Sequence, residues 1–358
     1  MRETISNSSR VPGVIAVLAL SATIASAQGS SDLRFGGKVP PDVRTIYERG
    51  LAYLIQNQTD DGDWPGQSDG IGTRENGITA LGLMALLAGG EDPNHGRYRL
   101  QVKRALRHLI ASQDPETGFF ANSMYHHGFS MLALAEAYGA VDDDLLWQNV
   151  EVSGRVRSIG EALELSVRCA LTSQDDNPYG AWRYSPTARD ADTSVAGAVT
   201  LGLLAARNAG IEVPDRNIDT AFDYFRTMTM DSGFVRYSGP GGTSGDSLAR
   251  SSIVALVLAI GKRKDWESYA AAAGFLQDNI DAPISGEYPL YTRYYMAQAL
   301  FQADYEAWQI WNGNTVRTLK SLQSDDGSFA SKYGSAYGTA MSLLAIALNY
   351  RLLPIYER

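Results

Sequence analysis

Gln58-Thr-Asp-Asp-Gly62-Asp-Trp64, near the start of the chain, and Gln323-Ser-Asp-Asp-Gly327-Ser-Phe329, near its end, are two copies of one pattern. A glutamine is followed after three residues by a glycine and, one residue later, by an aromatic. Gln113-Asp-Pro-Glu-Thr-Gly118-Phe-Phe120 and Gln174-Asp-Asp-Asn-Pro-Tyr-Gly180-Ala-Trp182 are looser copies between them. Self-similarity at such a period indicates a repeat architecture. Each copy follows one helix-like stretch and precedes another. The periodicity predicts six pairs: 43–57 with 77–88, 100–112 with 127–138, 159–172 with 192–208, 218–228 with 247–260, 266–279 with 291–303 and 311–322 with 337–349.

The two members of a pair differ. The first is amphipathic: Val102, Ala105, Leu106, Leu109 and Ile110 recur at the spacing of one buried helical face. The second is apolar nearly all round, as in Gly77-Ile-Thr-Ala-Leu-Gly-Leu-Met-Ala-Leu-Leu-Ala88. A helix apolar on every side is enclosed by protein. The alternation predicts an all-α fold with an outer and an inner layer, an α6/α6 toroid of six helical hairpins. An open superhelix is the alternative, but it calls for polar terminal repeats, and the first inner helix has none. In the loops, the glutamine is placed to bond groups that helix ends leave free, the glycine permits the turn and the aromatic fills space between hairpins. Gln58, Trp64, Gln113, Gln174, Trp182, Gln323 and Phe329 are therefore read as structural.

The first 27 residues read as a signal peptide: Arg2 and Arg10, an apolar run from Val14 to Ala25 too short to span a bilayer, and an Ala25-Ser26-Ala27 cleavage site. The expected product is exported, to the periplasm or beyond. Residues 28–42 form an N-terminal segment and 43–358 a single domain. Loss of Arg2, Glu3 and Arg10 takes the formal net charge from −9 to −10. An acidic chain without a basic cluster makes a poor nucleic-acid ligand. No second long apolar run exists, so no stable membrane insertion is expected once the signal is removed. The single cysteine, Cys169, excludes an internal disulfide and reads as a buried filler in an outer helix.

The glutamine-aromatic copies resemble the repeat of the terpenoid cyclase and protein prenyltransferase superfamily, the prenyltransferase and squalene oxidase repeat proteins, over essentially all of the mature chain. His127-Gly128, Glu136-Ala-Tyr-Gly139, Asp192-Thr-Ser-Val195 and the ending Leu353-Pro-Ile-Tyr-Glu-Arg358 resemble an exported bacterial single-toroid subgroup. The resemblance implies a toroid with a central cavity. It does not carry an activity, because this fold hosts unrelated ones. The cyclase DxDD-T acid motif is matched only by Asp190-Ala-Asp192-Thr193-Ser194, which lacks one aspartate. Asp192 stands where an N-cap stands, and the helix dipole is expected to lower its pKa, whereas a catalytic acid needs it raised. Cations are stabilised by aromatic faces, yet the inner helices of repeats one, three and four contain no aromatic residue. Cys169 lacks the neighbours of a prenyltransferase zinc site or of a thioester motif. The Asp-Asp-Gly stretches at 60–62 and 325–327 lack calcium-loop spacing and read as turns. No metal and no cofactor is expected.

In a toroid the starts of the inner helices converge on one mouth. Arg74, Glu75 and Asn76, His126 and His127, Asp190, Asp192 and Thr193, Asp246, Ser247 and Arg250, Tyr291, Arg293 and Tyr294, and Tyr337 and Thr339 gather there. Of these, His126, His127, Asp190, Asp192, Thr193, Arg250, Tyr291, Tyr294 and Tyr337 are the expected ligand-binding residues. Adjacent histidines point in different directions on a helix. The preferred reading is a helix-start histidine bonded to backbone, with a general base or a metal ligand beside Asp192 as the sharper one. Glu136, inside the apolar stretch Leu132-Ala-Leu-Ala-Glu-Ala-Tyr138, must be bonded or protonated. Glu136, Asp192 and His127 are the catalytic candidates. The favoured function is a binding protein holding an apolar, isoprenoid-like molecule or a peptide segment in its cavity. The alternative is an enzyme at the cavity mouth: a degenerate terpenoid cyclase, or a carbohydrate-active lyase or hydrolase pairing Glu136 with Asp190 or Asp192.

Overall fold

The computed structural model describes residues 39–68, 71–150, 156–239, 247–284 and 288–356. The expected signal peptide lies outside them. Residues Lys38–Arg358 form one compact unit. It contains the six expected hairpins. The outer helices are α1 (Pro41–Asn57), α3 (Arg99–Ser112), α6 (Ile159–Asp175), α8 (Asp215–Met228), α10 (Glu267–Asp278) and α12 (Tyr305–Leu322). The inner helices are α2 (Asn76–Ala88), α4 (Met124–Ala137), α7 (Thr193–Asn208), α9 (Ser247–Ile260), α11 (Pro289–Ala303) and α13 (Ser335–Ile346). A one-turn helix, α5 (Asp143–Leu146), lies between repeats two and three. A short antiparallel hairpin, β1 (Pro65–Ser68) with β2 (Ile71–Arg74), is the one sheet among the described residues.

Each inner helix packs on the next in chain order, and α13 packs back on α2. The ring is closed rather than an open-ended spiral, and among the described residues there is no central sheet. Small residues set the approach: a Cβ on Gly128 of α4 would stand 2.6 Å from the Ala198 carbonyl carbon of α7, and one on Gly202 of α7 would stand 2.7 Å from Met131 of α4. The two contacts advance together along both chains, so α4 and α7 run parallel.

The glutamine loops close the outer layer. In four repeats the glutamine Nε2 donates to two carbonyls, that of its own loop glycine and one inside the next outer helix. Gln58 reaches Gly62 and Gln101, both at 3.0 Å, and Gln113 reaches Gly118 at 3.0 Å and Ala162 at 2.8 Å. Gln174 reaches Gly180 and Asn217, both at 2.9 Å. Gln323, in the last hairpin, reaches Gly327 at 2.9 Å and Ile46 of α1 at 3.0 Å, joining the end of the ring to its beginning. Arg49 donates to the Ser324 carbonyl at 2.8 Å and Lys320 pairs with Asp42 at 2.8 Å across the same seam. The acceptors are thus loop glycines and carbonyls in the first two turns of the neighbouring helix, rather than the free carbonyls of a helix C-terminus. The tryptophans act within their own hairpins: Trp64 Nε1 donates to the Leu54 carbonyl at 2.7 Å and Trp182 Nε1 to that of Ala170 at 2.9 Å. Cys169 is buried in α6, and burial pushes its thiol up to about 11, which leaves it unreactive.

The C-terminal segment crosses the end of the ring where the inner helices finish. Leu352 stands over Gly90, just past α2, and the Ile355 N–H donates to Glu136 Oε1 at 3.2 Å at the end of α4. The turn Pro354–Tyr356 packs on α7.

Candidate functional site

At the opposite end, where the inner helices begin, a cavity of about 380 Å³ opens. Its walls come from the first turns of α2, α4, α7, α11 and α13 and from the loops before them. Tyr125 and Phe129 project from α4, Tyr291 from α11 and Tyr337 from α13; Tyr184, Tyr237, Tyr288 and Tyr333 come from loops. The rings are in mutual contact. Tyr125 meets Phe129 at 5.0 Å and Tyr291 at 6.0 Å between centroids, Tyr291 meets Tyr295 at 4.7 Å, and Tyr288 stacks on Tyr333 at 6.1 Å and 9°. The hydroxyls of Tyr184 and Tyr237 lie 2.9 Å apart, with the Arg183 guanidinium over both rings. Lys332 Nζ stands 4.5 Å over Tyr288 at the rim. Burial raises the phenols of Tyr125, Tyr291 and Tyr337 above their ordinary value, so all three keep their protons in the physiological range.

One ionisable pair stands in this wall, Glu75 and His126, with Oε2 to Nε2 at 3.3 Å. His126 is brought there by Gly77: a Cβ on Gly77 would lie 2.6 Å from the imidazole Cδ2.

The expected site residues divide between the cavity and its frame. His126, Tyr291 and Tyr337 line the cavity. His127 turns the other way and is fully buried; Nδ1 accepts from the Phe120 N–H at 3.2 Å, so Nε2 carries the proton that is shared with the Ser166 carbonyl at 2.9 Å. Ser247 and Thr339 accept the Val235 and Phe329 N–H groups in the same manner, which makes His127 part of the frame rather than a base or metal ligand. Thr193 Oγ1 donates to the Arg236 carbonyl at 2.7 Å and Arg250 Nε to that of Val235 at 2.9 Å, so both fix the loop that carries Tyr237. Tyr294 packs behind the wall against Phe129 and Tyr295. Asp190 is exposed and pairs with Arg183 at 2.6 Å. Arg74 ends β2, and Asp246 lies outside the described residues.

Asp192 is the N-cap of α7, with Oδ1 accepting from the Val195 N–H at 2.9 Å. Its pKa nevertheless moves opposite to the expectation. Burial raises it, and the Val195 N–H, the Arg183 guanidinium and the Ser194 N–H only partly offset that. The cost of desolvating a carboxylate that has no exposed surface outweighs the help of the helix N-terminus. Glu136 also departs from its catalytic reading. It sits at the far end of α4, about 20 Å along the helix axis from the level of Asp192 at a rise of ~1.5 Å per residue. The two carboxylates do not face one another across a cleft. Among the described residues no group of three or more His, Cys, Asp or Glu is placed to hold a metal ion, and no helix is long and apolar enough to cross a membrane.

Five cavity tyrosines were not expected: Tyr125 lies in the first turn of α4, ahead of the expected helix start at 127, and Tyr184, Tyr237, Tyr288 and Tyr333 lie in loops before the inner helices. A signal for two of them was present: Trp182-Arg183-Tyr184 and Val235-Arg236-Tyr237 repeat the motif's final residue, an arginine and a tyrosine. These loops supply the aromatic faces that repeats three and four lack on their helices.

No protein-family model and no curated protein matches the chain. Solved structures do. An inactive variant of the α-1,6-mannanase GH76A of Salegentibacter sp. HEL1_6, in complex with α-1,6-mannotriose, aligns with TM-score 0.65 at 11% identity, over 87% of this chain and 99% of that one. A variant of the type II terpene cyclase MstE from Scytonema, in complex with geranylgeranyl dihydroxybenzoate, aligns with TM-score 0.59 at 14% identity, over 87% of this chain and 98% of that one. Its apo structure aligns at 0.56 and 16% identity. The fold is an α/α toroid. At these identities the likeness extends to the fold alone.

His127 yields a pH prediction. Burial, opposed by the bond to the Ser166 carbonyl, lowers its pKa to about 4 from an ordinary 6.5. The unfolded chain therefore takes up this proton first as the pH falls. The associated stability is complete above pH ~6.5 and is lost progressively down to pH ~4, by about 3 kcal/mol at ~1.4 kcal/mol per unit. Urea titrations across this window are expected to show that decline in the parent and a shallower one in His127→Gln. Equal slopes in the two would contradict the assignment.

Proposed function

We propose that the mature protein is exported and binds an apolar, isoprenoid-like small molecule in the tyrosine-walled mouth of its toroid. The observation that carries this reading is the composition of the wall. Seven tyrosines and Phe129 surround a cavity of about 380 Å³, with Glu75 as the one carboxylate among the described lining residues. Sites of this kind are mostly apolar, with a few placed polar groups, and span roughly 300–1,000 Å³. Aromatic faces pack well on flat, unsaturated chains and rings. The terpene cyclase with the same fold holds a geranylgeranyl compound, which supports the ligand class without assigning the reaction.

A carbohydrate-active reading has one observation in its favour. Tyr184 and Tyr288 are 50% and 44% exposed at the rim, beside Glu75, and such rings stack on sugars. Glycoside hydrolysis ordinarily needs two carboxylates roughly 5–9.5 Å apart. Among the described residues the wall offers Glu75 alone, and Asp192 is held behind it as a helix cap.

The test is retention. Purified protein is loaded from detergent micelles with farnesol, or from solution with α-1,6-mannotriose, then desalted and analysed by mass spectrometry. Farnesol is expected to be retained, with about tenfold less in a folded Tyr337→Ala variant. Retention of the oligosaccharide without the isoprenoid would reverse the assignment.

A further inference from the structure

The floor of this cavity holds a polar group that the frame leaves unused. Tyr291 lines the cavity yet is only 7% exposed, far deeper than the rim tyrosines. Its hydroxyl is buried and has no well-formed hydrogen bond within the protein, and the Tyr295 hydroxyl behind it is in the same condition. The hydroxyls of Tyr125 and Ser194 lie about it and interact with it. A buried hydroxyl whose hydrogen bonds are poorly formed is a standing cost to the folded state. Among the described lining residues there is no lysine or arginine, so the floor suits an uncharged oxygen better than an anion.

We propose that Tyr291 is a specificity-determining residue that donates a hydrogen bond to an uncharged hydroxyl or carbonyl oxygen of the ligand, which enters polar end first. This rests on the binding reading above and narrows its ligand class to oxygenated rather than purely hydrocarbon molecules. The rim and wall rings hold the apolar body, and Ser194 and Tyr125 orient the Tyr291 hydroxyl. The phenol remains a donor across the physiological range because burial keeps it protonated. No bond in the ligand is made or broken.

The experiment loads the full mature chain from one micelle stock with farnesol and with farnesene, the hydrocarbon of the same carbon skeleton. The retained ratio is then read by mass spectrometry. One neutral hydrogen bond predicts a preference of about tenfold for the alcohol. Tyr291→Phe is expected to bring the ratio near unity while farnesene retention stays within about twofold. If Tyr291→Phe does not fold, Ser194→Ala takes its place, with an expected loss of preference of about threefold. Equal retention of both molecules by the parent protein, or an equal fall of both in the variant, overturns the role of Tyr291 and leaves the apolar pocket standing. Retention of neither molecule overturns the binding reading and this inference with it.

Discussion

Gly327→Ala is expected to lower stability by about 3–5 kcal/mol. Two costs coincide there. Gly327 has φ +88°, which an L side chain rarely adopts, and a Cβ would stand 2.3 Å from the Arg49 carbonyl oxygen. That oxygen belongs to α1, so relief of the clash requires the last loop to part from the first helix. It would also strain the Gln323 bond to Ile46. Gly274, in the middle of α10, is the control: nothing lies within 4 Å of its Cβ position. Gly274→Ala is expected to be neutral or stabilising by up to ~1 kcal/mol, because alanine favours helix. Urea unfolding of the two variants checks the contrast; a Gly327→Ala protein within 1 kcal/mol of the parent would contradict the close approach.

Trp182→Ala is expected to cost about 3–5 kcal/mol, the usual consequence of emptying a fully buried indole site. Trp182→Phe keeps much of the packing but loses the Nε1 bond to the Ala170 carbonyl at 2.9 Å, and is expected to cost about 1–2 kcal/mol. Thermal unfolding should rank the parent, the phenylalanine and the alanine variants in that order. Equal losses in both would mean that the hydrogen bond, rather than the ring volume, holds the hairpin together.

The toroid was legible because its signals are local. The periodic stretches fall on the helices, and 247–260 coincides with α9 at both ends. The start of α12 lies six residues before the expected 311, because Asp304 caps it and its first turns expose Ile310, which hides the apolar period. The β1–β2 hairpin was not expected, since a four-residue strand carries little pattern. In the fourth repeat Thr229 stands where the others have glutamine, yet its loop keeps the geometry. Gly233 has φ +78° and abuts the Ala271 carbonyl, as Gly62 abuts that of Arg104. The glycine, fixed by backbone contact, is the more constant half of the motif.

The site was legible only in part, because side-chain direction depends on tertiary packing. Adjacent histidines must diverge, but nothing local says that His126 turns to the cavity and His127 to the Ser166 carbonyl. The mouth itself followed from the inner-helix starts, whereas its rim tyrosines sit on loops with no period. Asp192 shows the limit of local electrostatics: the cap was readable, but the burial that reverses its pKa shift arises only when the hairpins assemble.

The closed ring is tested most directly by zero-length carbodiimide crosslinking of gel-filtered monomer, read by peptide mass spectrometry. Lys320 Nζ and Asp42 Oδ1 lie 2.8 Å apart on the surface of the last and first outer helices. An amide between Lys320 and Asp42 is the expected product. Crosslinks confined to neighbouring hairpins in the sequence, with none joining α12 to α1, would show an open array instead.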